Sequence, residues 1–180
     1  MESTRKNQHL EKLSDEELWS AYVAGSHEAF SEVRRRHQDA LFRYLVLSLS
    51  DVGAAAVALA RVLGLAAAYR KPYEGFDSLK VWLFAIATQQ AASPQTREEQ
   101  GLTQFISELR RPDANGRQEM LMRALADMQR DIKQPFLLVT GAWLSVSEAA
   151  KACCYTVERT RRCVERAYKE ISASLPVPED

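Results

Sequence analysis

The sequence predicts an all-α protein with two small helical domains joined by a flexible linker. Apolar residues recur at three- and four-residue spacing along most of the chain, and no segment has the alternating pattern of a β-strand. Capping signals of the form Ser-x-x-Glu begin two of the expected helices. Proline and glycine interrupt the chain at 93–117, which we interpret as a linker between helical units at 10–92 and 118–174.

The N-terminal unit begins with two expected helices. Ser14 caps the first, Glu17 completes a capping box, and the helix is expected to end near Gly25. Ser26 opens a longer helix that reaches Leu47 and carries its apolar residues on one side. These signals predict a pair of consecutive helices joined by a short turn.

Two further helices are expected before the linker. Asp51 caps an alanine-rich helix that extends to Tyr69. Proline and glycine mark a loop at 71–76, and Asp77 or Ser78 then caps the next helix. The N-terminal unit is therefore expected to contain four helices.

The C-terminal unit is expected to begin with helices near 118–129 and 132–142. Pro135 lies within the second of these and lacks a backbone N–H, so it is tolerated only if it falls in the first turn. Within the linker, 102–106 is a further short helical segment.

A helix–turn–helix pattern follows at 145–171. Ser145 and Glu148 form a second capping box, and Thr156 is a second N-cap eleven residues further on. Cys154 and Tyr155 are left as the turn between the two helices. The spacing predicts two short helices of the kind found in DNA-binding proteins.

The second helix of this pattern has two contrasting faces. One narrow arc is apolar and the opposite arc is basic, as expected for a helix that faces a core on one side and an anionic partner on the other. The simplest interpretation is that the basic arc binds the phosphate backbone and groove of DNA. The alternative is that the basic side chains only face solvent. The apolar arc consists of Val157, Thr160, Val164, Ala167, Tyr168 and Ile171, and the basic arc of Arg159, Arg162, Arg166 and Lys169.

The overall charge places a limit on this interpretation. The chain has 24 basic and 24 acidic residues, so its formal net charge is zero and any attraction to nucleic acid must be local. From Lys151 to Lys169, six Lys or Arg stand against two Glu, which gives a local charge of +4. The basic charge is therefore concentrated on the helix–turn–helix pattern.

Motifs of catalysis and metal binding are not found in the sequence. It has no glycine-rich phosphate loop, no nucleophile elbow and no paired carboxylates beside a base. Cys153, Cys154 and Cys163 lie far along the chain from every histidine, so we interpret them as reduced cysteines rather than metal ligands. We therefore expect neither an enzyme, nor a metal site, nor a cofactor.

Membrane and export signals are also not expected. The first ten residues lack the apolar run of a secretory signal, and the apolar stretch at 52–69 is too short for a membrane span and is interrupted by Arg61. The sequence predicts a cytosolic chain with no membrane span.

Three segments, in this order, resemble the bacterial extracytoplasmic-function (ECF) sigma factors of the sigma-70 family. Residues 13–45, which begin L-S-D-E-E-L-W-S-A-Y, look like the start of that family's domain two. Residues 81–92, V-W-L-F-A-I-A-T-Q-Q-A-A, look like the helix that reads the minus-ten promoter element. Residues 125–152, L-A-D-M-Q-R-D-I-K-Q-P-F-L-L-V-T-G-A-W-L-S-V-S-E-A-A-K-A, are similar to domain four.

The resemblance implies a transcription initiation factor without catalytic residues of its own. Such a protein binds the clamp and flap of core RNA polymerase, directs it to promoter DNA, works in the bacterial cytoplasm and has an anti-sigma factor as a further partner. Units 10–92 and 118–174 would then contact the minus-ten and minus-thirty-five promoter elements respectively.

The resemblance also implies two sets of DNA-binding residues. In the recognition helix, position favours Glu158 and Arg159 for bases, and Arg166 and Lys169 for phosphates. In the minus-ten helix, unpaired bases require aromatic stacking and polar contacts, although Trp82 is equally well explained as a core aromatic residue. The candidates are Thr156, Glu158, Arg159, Arg162, Arg166 and Lys169 in the first set, and Lys80, Trp82, Thr88 and Gln89 in the second.

The helix expected to dock on polymerase departs from the family. Members usually carry an acidic cluster there, whereas this chain has Ala56 and Val57 at the expected acid pair and Arg61 at another acid position. Loss of the acids removes attraction to a basic clamp, and Arg61 is expected to add repulsion. The candidate docking residues are Ala56, Val57, Leu59, Ala60, Arg61 and Leu63.

Three explanations of this departure are open. The protein is a divergent sigma factor that docks through apolar contacts, or a sigma-like mimic that binds an anti-sigma factor or another regulator without productive polymerase binding. Alternatively, phosphorylation of Ser48 or Ser50 supplies the missing negative charge.

Overall fold

A computed structural model describes residues 9–69, 71, 73–94, 100 and 116–174. The regular structure of these residues is entirely α-helical, which confirms the predicted fold class. The helices are α1 (Asp15–Val23), α2 (His27–Leu49), α3 (Val52–Ala68), α4 (Leu79–Ala92), α5 (Gly116–Asp127), α6 (Arg130–Thr140), α7 (Val146–Cys153) and α8 (Val157–Ser174). The short segment 102–106 lies outside the described residues.

Both predicted capping boxes are present. The Ser14 hydroxyl accepts from the Glu17 amide at 3.2 Å, and the Glu17 carboxylate accepts from the Ser14 amide at 2.7 Å. The same reciprocal pair joins Ser145 and Glu148 at 3.2 and 2.8 Å. Each box satisfies two backbone donors that the first turn of a helix leaves without partners, which fixes where α1 and α7 begin.

Side-chain caps also begin α3 and α4. Asp51 Oδ1 accepts from the Ala54 amide at 2.6 Å, and the Ser78 hydroxyl accepts from the Val81 amide at 3.3 Å. Of the two residues predicted for the second cap, Ser78 is the one that serves. The bounds of α3 and α4 thus follow the capping signals read from the sequence.

Pro135 does not lie where it was expected. Because α6 begins at Arg130, Pro135 is its sixth residue and falls beyond the first turn. Its ring nitrogen cannot donate to the carbonyl of Asp131, so α6 lacks one backbone hydrogen bond. Pro135 is nevertheless among the buried residues of α6, and burial of this apolar face offsets the lost bond.

The two halves of the chain share one hydrophobic core. Helix α4 packs against α7, and α2 packs against α5 and α6. Residues of both halves belong to a single buried cluster, which includes Leu41 and Phe84 from the first half and Leu138, Ala149 and Ile171 from the second. The sequence left the relative placement of the halves open, and in the structure they lie directly on one another.

Polar contacts cross the same junction. Gln134 Nε2 donates to the Thr88 carbonyl at 3.3 Å, and Arg130 Nη1 donates to the Ala92 carbonyl at 3.4 Å. At the other end of α4, Lys151 Nζ lies 2.5 Å from Asp77 Oδ1. These contacts attach α6 and α7 to both ends of α4. The linker at 93–117 stays a prediction, because most of it lies outside the described residues.

A network of charges fastens α1 to α2. The Arg36 guanidinium donates to the Leu13 carbonyl at 2.8 Å and to Asp15 Oδ1 at 3.0 Å. The buried Glu32 carboxylate accepts from both Arg35 and Arg36 at 2.7–2.8 Å. The hydrogen bond from Arg35, with that from Arg36, outweighs burial and lowers the pKa of Glu32 to about 2.

Within the described residues, no helix combines the length and apolar character needed to span a bilayer.

Candidate nucleic-acid interface and docking helix

The turn between α7 and α8 has the geometry of a helix–turn–helix motif. Cys154 ends α7 in the left-handed conformation, with φ 56° and ψ 38°, and the Tyr155 amide donates to the Ala150 carbonyl at 2.8 Å. The Thr156 hydroxyl accepts from the Arg159 amide at 3.2 Å and so caps α8. An exposed cysteine therefore occupies a turn position that favours glycine.

The buried face of α8 differs in part from the predicted apolar arc. Thr160 is fully buried as expected, and Cys163, which lies three residues later on the same face, is also buried. Val157 and Tyr168 are 43% and 54% exposed, so neither is a core residue. Val157 is the first residue of the helix, and the Tyr168 ring meets the Phe136 ring edge-on, with ring centroids 5.2 Å apart.

The basic arc of α8 is exposed but partly neutralised by its own helix. Glu158 Oε1 accepts from Arg162 Nε at 3.1 Å, and Glu158 Oε2 lies 3.7 Å from Arg161. Glu170 accepts from Arg166 Nε at 2.8 Å. Ion pairs on an exposed helix surface contribute well under about 1 kcal/mol each, so a phosphate group can displace them.

Arg159 is held in a defined position at the start of α8. Its guanidinium carbon lies 3.8 Å from the centroid of the Tyr155 ring, and its Nη2 lies 3.8 Å from Asp131 Oδ2 on α6. Stacking on an aromatic ring restricts a long side chain and leaves its N–H donors directed outward. Sequence reasoning did not identify Tyr155, although an aromatic residue four positions before an arginine was a usable signal.

Two apolar residues near the motif are exposed, which the sequence did not predict. Val157 presents its methyl groups at the N-terminal end of α8, where a thymine methyl group would be contacted by a recognition helix. Trp143 precedes the Ser145 cap by two residues, is 83% exposed and has a left-handed φ of 57°. No helical periodicity in the sequence marks Trp143, because it lies in the turn between α6 and α7.

The four residues predicted to face single-stranded DNA do not form one exposed patch on α4. Thr88 is buried, with its hydroxyl 2.8 Å from the Tyr44 hydroxyl and 2.8 Å from the Phe84 carbonyl. Lys80 is half-buried, and of the four only Gln89 is exposed. The geometry therefore leaves Gln89 accessible and removes Thr88 from solvent.

Trp82 is 8% exposed and belongs to an aromatic cluster. Its ring centroid lies 5.0 Å from that of Trp19, 5.3 Å from that of Tyr69 and 6.1 Å from that of Tyr73. Such edge-on and stacked pairs stabilise a core beyond the area that they bury. The arrangement favours the core interpretation of Trp82 over stacking on an unpaired base.

The candidate docking residues of α3 divide into buried and accessible groups. Val57 is only 5% exposed and faces the core, so it cannot contact a partner in this conformation. Ala60 is exposed, and Ala56, Leu59 and Leu63 are half-buried. The accessible surface of α3 is thus apolar and made largely of small residues.

Arg61 corrects one expectation from the sequence. Its guanidinium donates to the Gln90 carbonyl at 3.3 Å and to the Pro94 carbonyl at 3.4 Å. The positive charge therefore lies at the C-terminal end of α4, where helix carbonyls lack partners and the helix dipole is negative. The Arg61 side chain contacts the end of α4 and is not directed at a docking partner. The structure therefore does not support the expected repulsion between Arg61 and a basic polymerase clamp.

The two serines considered for phosphorylation differ in access. Ser48 is buried in α2, so a modifying enzyme cannot reach its hydroxyl in this conformation. Ser50 is exposed and ends α2 in the left-handed conformation, with φ 56°. Phosphorylation at Ser48 is therefore excluded in the folded chain, and the hypothesis is restricted to Ser50.

The fold is shared with solved structures. CnrH, solved in complex with the cytosolic domain of CnrY, aligns with a TM-score of 0.69 and 18% identity, covering 88% of this chain and 95% of CnrH. The sigma factor RpoE from Bartonella quintana, solved with the anti-sigma factor NepR, aligns with a TM-score of 0.66 and 20% identity, covering 83% of this chain and 98% of RpoE. No family model and no curated protein matches the sequence. The alignments confirm, at the level of the fold, the predicted resemblance to ECF sigma factors.

Proposed function

We propose that this protein is a transcription initiation factor that binds core RNA polymerase and directs it to specific promoters. The observation that carries the proposal is the exposed arginine face of α8 within a capped helix–turn–helix, in a chain whose fold is that of a sigma factor over most of its length. A basic helix face in this motif enters the major groove of DNA. Such a protein would work in the bacterial cytoplasm.

The arrangement of α8 supports separate roles for its residues. Arg159, restrained by Tyr155, and Arg162 lie in the first turns of the helix, where side chains reach base edges. Arg166 and Lys169 lie further along, where phosphates are the nearer partner. Glu158 would accept a hydrogen bond from the amino group of cytosine, and Thr156 would position the start of the helix.

Polymerase docking would use the accessible apolar surface of α3. Ala56, Leu59, Ala60 and Leu63 supply this surface, and no acidic side chain lies in α3 to attract a basic clamp. Binding would therefore depend on apolar area and not on charge, so we expect little salt dependence at this contact. The C-terminal unit would contact the polymerase flap.

A second function is favoured by a different observation. Helix α7 packs against α4, and Gln134 of α6 donates to the Thr88 carbonyl, so the C-terminal half covers part of the helix expected to read the minus-ten element. CnrH and RpoE were each solved with a partner protein, and for RpoE that partner is an anti-sigma factor. We call the arrangement in which the two halves pack on one another the closed form. A sigma-like mimic that binds an anti-sigma factor in this closed form would need neither polymerase nor promoter contact.

Binding to purified core RNA polymerase at physiological salt distinguishes the two functions. The wild-type chain would be compared with an Ala56→Glu, Ala60→Glu variant. The first substitution restores an acid at an expected position, and the second adds one at the exposed Ala60 in place of the buried Val57. Ala68→Glu, at the exposed end of the same helix, controls for the added charge.

Saturable binding by the wild type supports the initiation factor. Binding by the double variant alone supports the mimic. The wild-type α3 surface would then fail to bind polymerase only because it lacks negative charge. Absence of binding by both chains overturns the polymerase role.

A further inference from the structure

A cavity of about 370 Å³ lies between α1 and the loop that precedes α4. Helix α1 and the loop supply its lining, which consists of Glu16, Trp19, Ser20 and Val23 from α1 and Tyr73, Glu74, Gly75 and Phe76 from the loop. Its volume is in the lower part of the range for small-molecule sites. The cavity is on the opposite half of the chain from the helix–turn–helix motif and shares no residue with the candidate DNA-binding face.

Three aromatic residues line the cavity, but only two of them offer ring surface to a ligand. Tyr73 and Phe76 are half-buried, whereas Trp19 is 2% exposed. The Trp19 indole N–H donates to the Lys71 carbonyl at 2.9 Å, and the Tyr73 hydroxyl donates to Glu16 Oε1 at 3.4 Å. The rings of Trp19 and Tyr73 meet edge-on, with centroids 6.3 Å apart. The cavity therefore offers the partly exposed rings of Tyr73 and Phe76, whose faces have a negative quadrupole, together with the exposed Ser20 hydroxyl.

The charged groups of the lining are both carboxylates. Glu16 and Glu74 are exposed at the cavity, and within the described part of the chain neither forms an ion pair with a basic side chain. Burial raises the pKa of the Tyr73 hydroxyl, and the negative charge of Glu16 raises it further. A ligand entering here meets negative charge and hydrogen-bond acceptors, which disfavours any group that carries a phosphate.

We propose that this cavity binds a small organic cation with a methylated ammonium group, of the choline type. Such a group has no hydrogen to donate and is recognised by aromatic faces and nearby negative charge, which are the two features that this lining combines. A neutral molecule of the same shape would gain the apolar contacts but not the electrostatic attraction. This inference does not depend on the proposed promoter function.

Titration followed by two-dimensional ¹H–¹⁵N NMR on the full chain tests the proposal. The probes are choline, its neutral isostere 3,3-dimethylbutan-1-ol, and deoxycytidine, which represents an unpaired base. We expect saturable shifts with choline at millimolar concentrations. The shifts should be centred on the Trp19 indole N–H and the Gly75 amide, which both lie in the lining.

Matched variants locate the binding. Glu74→Gln and Glu16→Gln remove charge at exposed positions and should each weaken choline binding by about fivefold. Tyr73→Phe keeps the ring and should bind like the wild type, whereas Tyr73→Leu should bind at least about fivefold more weakly.

Equal binding of choline and its neutral isostere overturns the proposal, as does binding that both glutamine variants leave unchanged. Saturable binding of deoxycytidine without choline binding also overturns it, because the cavity would then be a base pocket. Each of these outcomes is independent of polymerase binding, so failure here is distinguishable from failure of the proposed function.

Discussion

The side-chain amide of Gln134 donates a hydrogen bond to the backbone carbonyl of Thr88, 46 residues earlier in the chain. Thr88 lies in the helix expected to read the minus-ten element, and Gln134 lies in the helix that supports the helix–turn–helix motif. Both residues are buried, so the bond is shielded from water. The bond therefore joins the C-terminal half to Thr88, a residue through which the N-terminal half was expected to contact DNA.

Replacing Gln134 by alanine should weaken this junction. The substitution removes one hydrogen bond from a neutral amide, so we expect a loss of about 1 kcal/mol of unfolding free energy rather than collapse of the fold. Urea denaturation measures the loss, and small-angle X-ray scattering measures any separation of the halves. Gln89→Ala, an exposed glutamine on α4, is the matched control and should change neither quantity.

Arg159 and Arg162 should determine the sequence preference of DNA binding. Alanine at either position should weaken binding to a selected promoter by about 1–3 kcal/mol and relax the preference at one base position. Arg166→Ala should instead weaken binding evenly across sequences and reduce the salt dependence. Fluorescence anisotropy at several salt concentrations separates the effects. Equal affinity of the wild type and the triple alanine variant would contradict the assignment of α8 as a DNA reader.

Arg61→Ala should destabilise the fold without strengthening attraction to polymerase. The substitution leaves the carbonyls of Gln90 and Pro94 without their guanidinium donor, which should cost about 1–2 kcal/mol. Thermal unfolding measures the cost, and Arg43→Ala on the exposed surface of α2 controls for loss of a positive charge. Unchanged stability would show that the contact at the end of α4 is dispensable.

The Glu32 carboxylate should make stability fall in acid. Its folded pKa of about 2 lies below its ordinary value of 4.5, so the stabilisation is fully present above pH 4.5 and is lost as pH falls towards 2. The pKa of Asp15 is also lowered, chiefly by its hydrogen bond with His37. Protonation of Asp15 in acid therefore also decreases stability. Glu32→Gln should cost about 2 kcal/mol at neutral pH and flatten this dependence in urea titrations. Asp39→Asn, at an exposed position of α2, should leave it unchanged.

Cys154→Gly should stabilise the helix–turn–helix motif. A non-glycine residue at φ 56° is strained, and relief of that strain should exceed the added entropy of the unfolded chain by about 0.5–1 kcal/mol. Cys154→Ala removes the thiol but keeps the strain and should give no gain. If both variants have the same melting temperature as the wild type, the backbone at this turn is not strained.

Local signals in the sequence were sufficient to predict the helices. The capping boxes at Ser14 and Ser145, and the caps at Asp51 and Ser78, depend on residues within four positions of each other, so each can be read directly. Pro135 was placed wrongly because burial of α6 overrides a local preference. Such compensation comes from distant parts of the chain.

The candidate site was less predictable because access depends on long-range packing. Trp82 and Gln89 lie two turns apart on one helix, yet one is buried in an aromatic cluster and the other is exposed. The direction of Arg61 depends on where α4 ends, 29 residues later in the chain. Neither outcome can be derived from spacing along a single helix.

Because the two halves share one core, the chain is in equilibrium between a form with the halves packed together and a form with the halves separated. This equilibrium affects every partner that binds only the separated form. Separating the halves exposes apolar side chains to water at about 25 cal/mol per Å². A partner that binds only the separated form would therefore have an observed dissociation constant larger than its intrinsic one, by the ratio of total to separated protein. A partner that accepts the closed form is not subject to this reduction. Competition between two such partners would be decided as much by the chain's own conformational preference as by the strength of either contact.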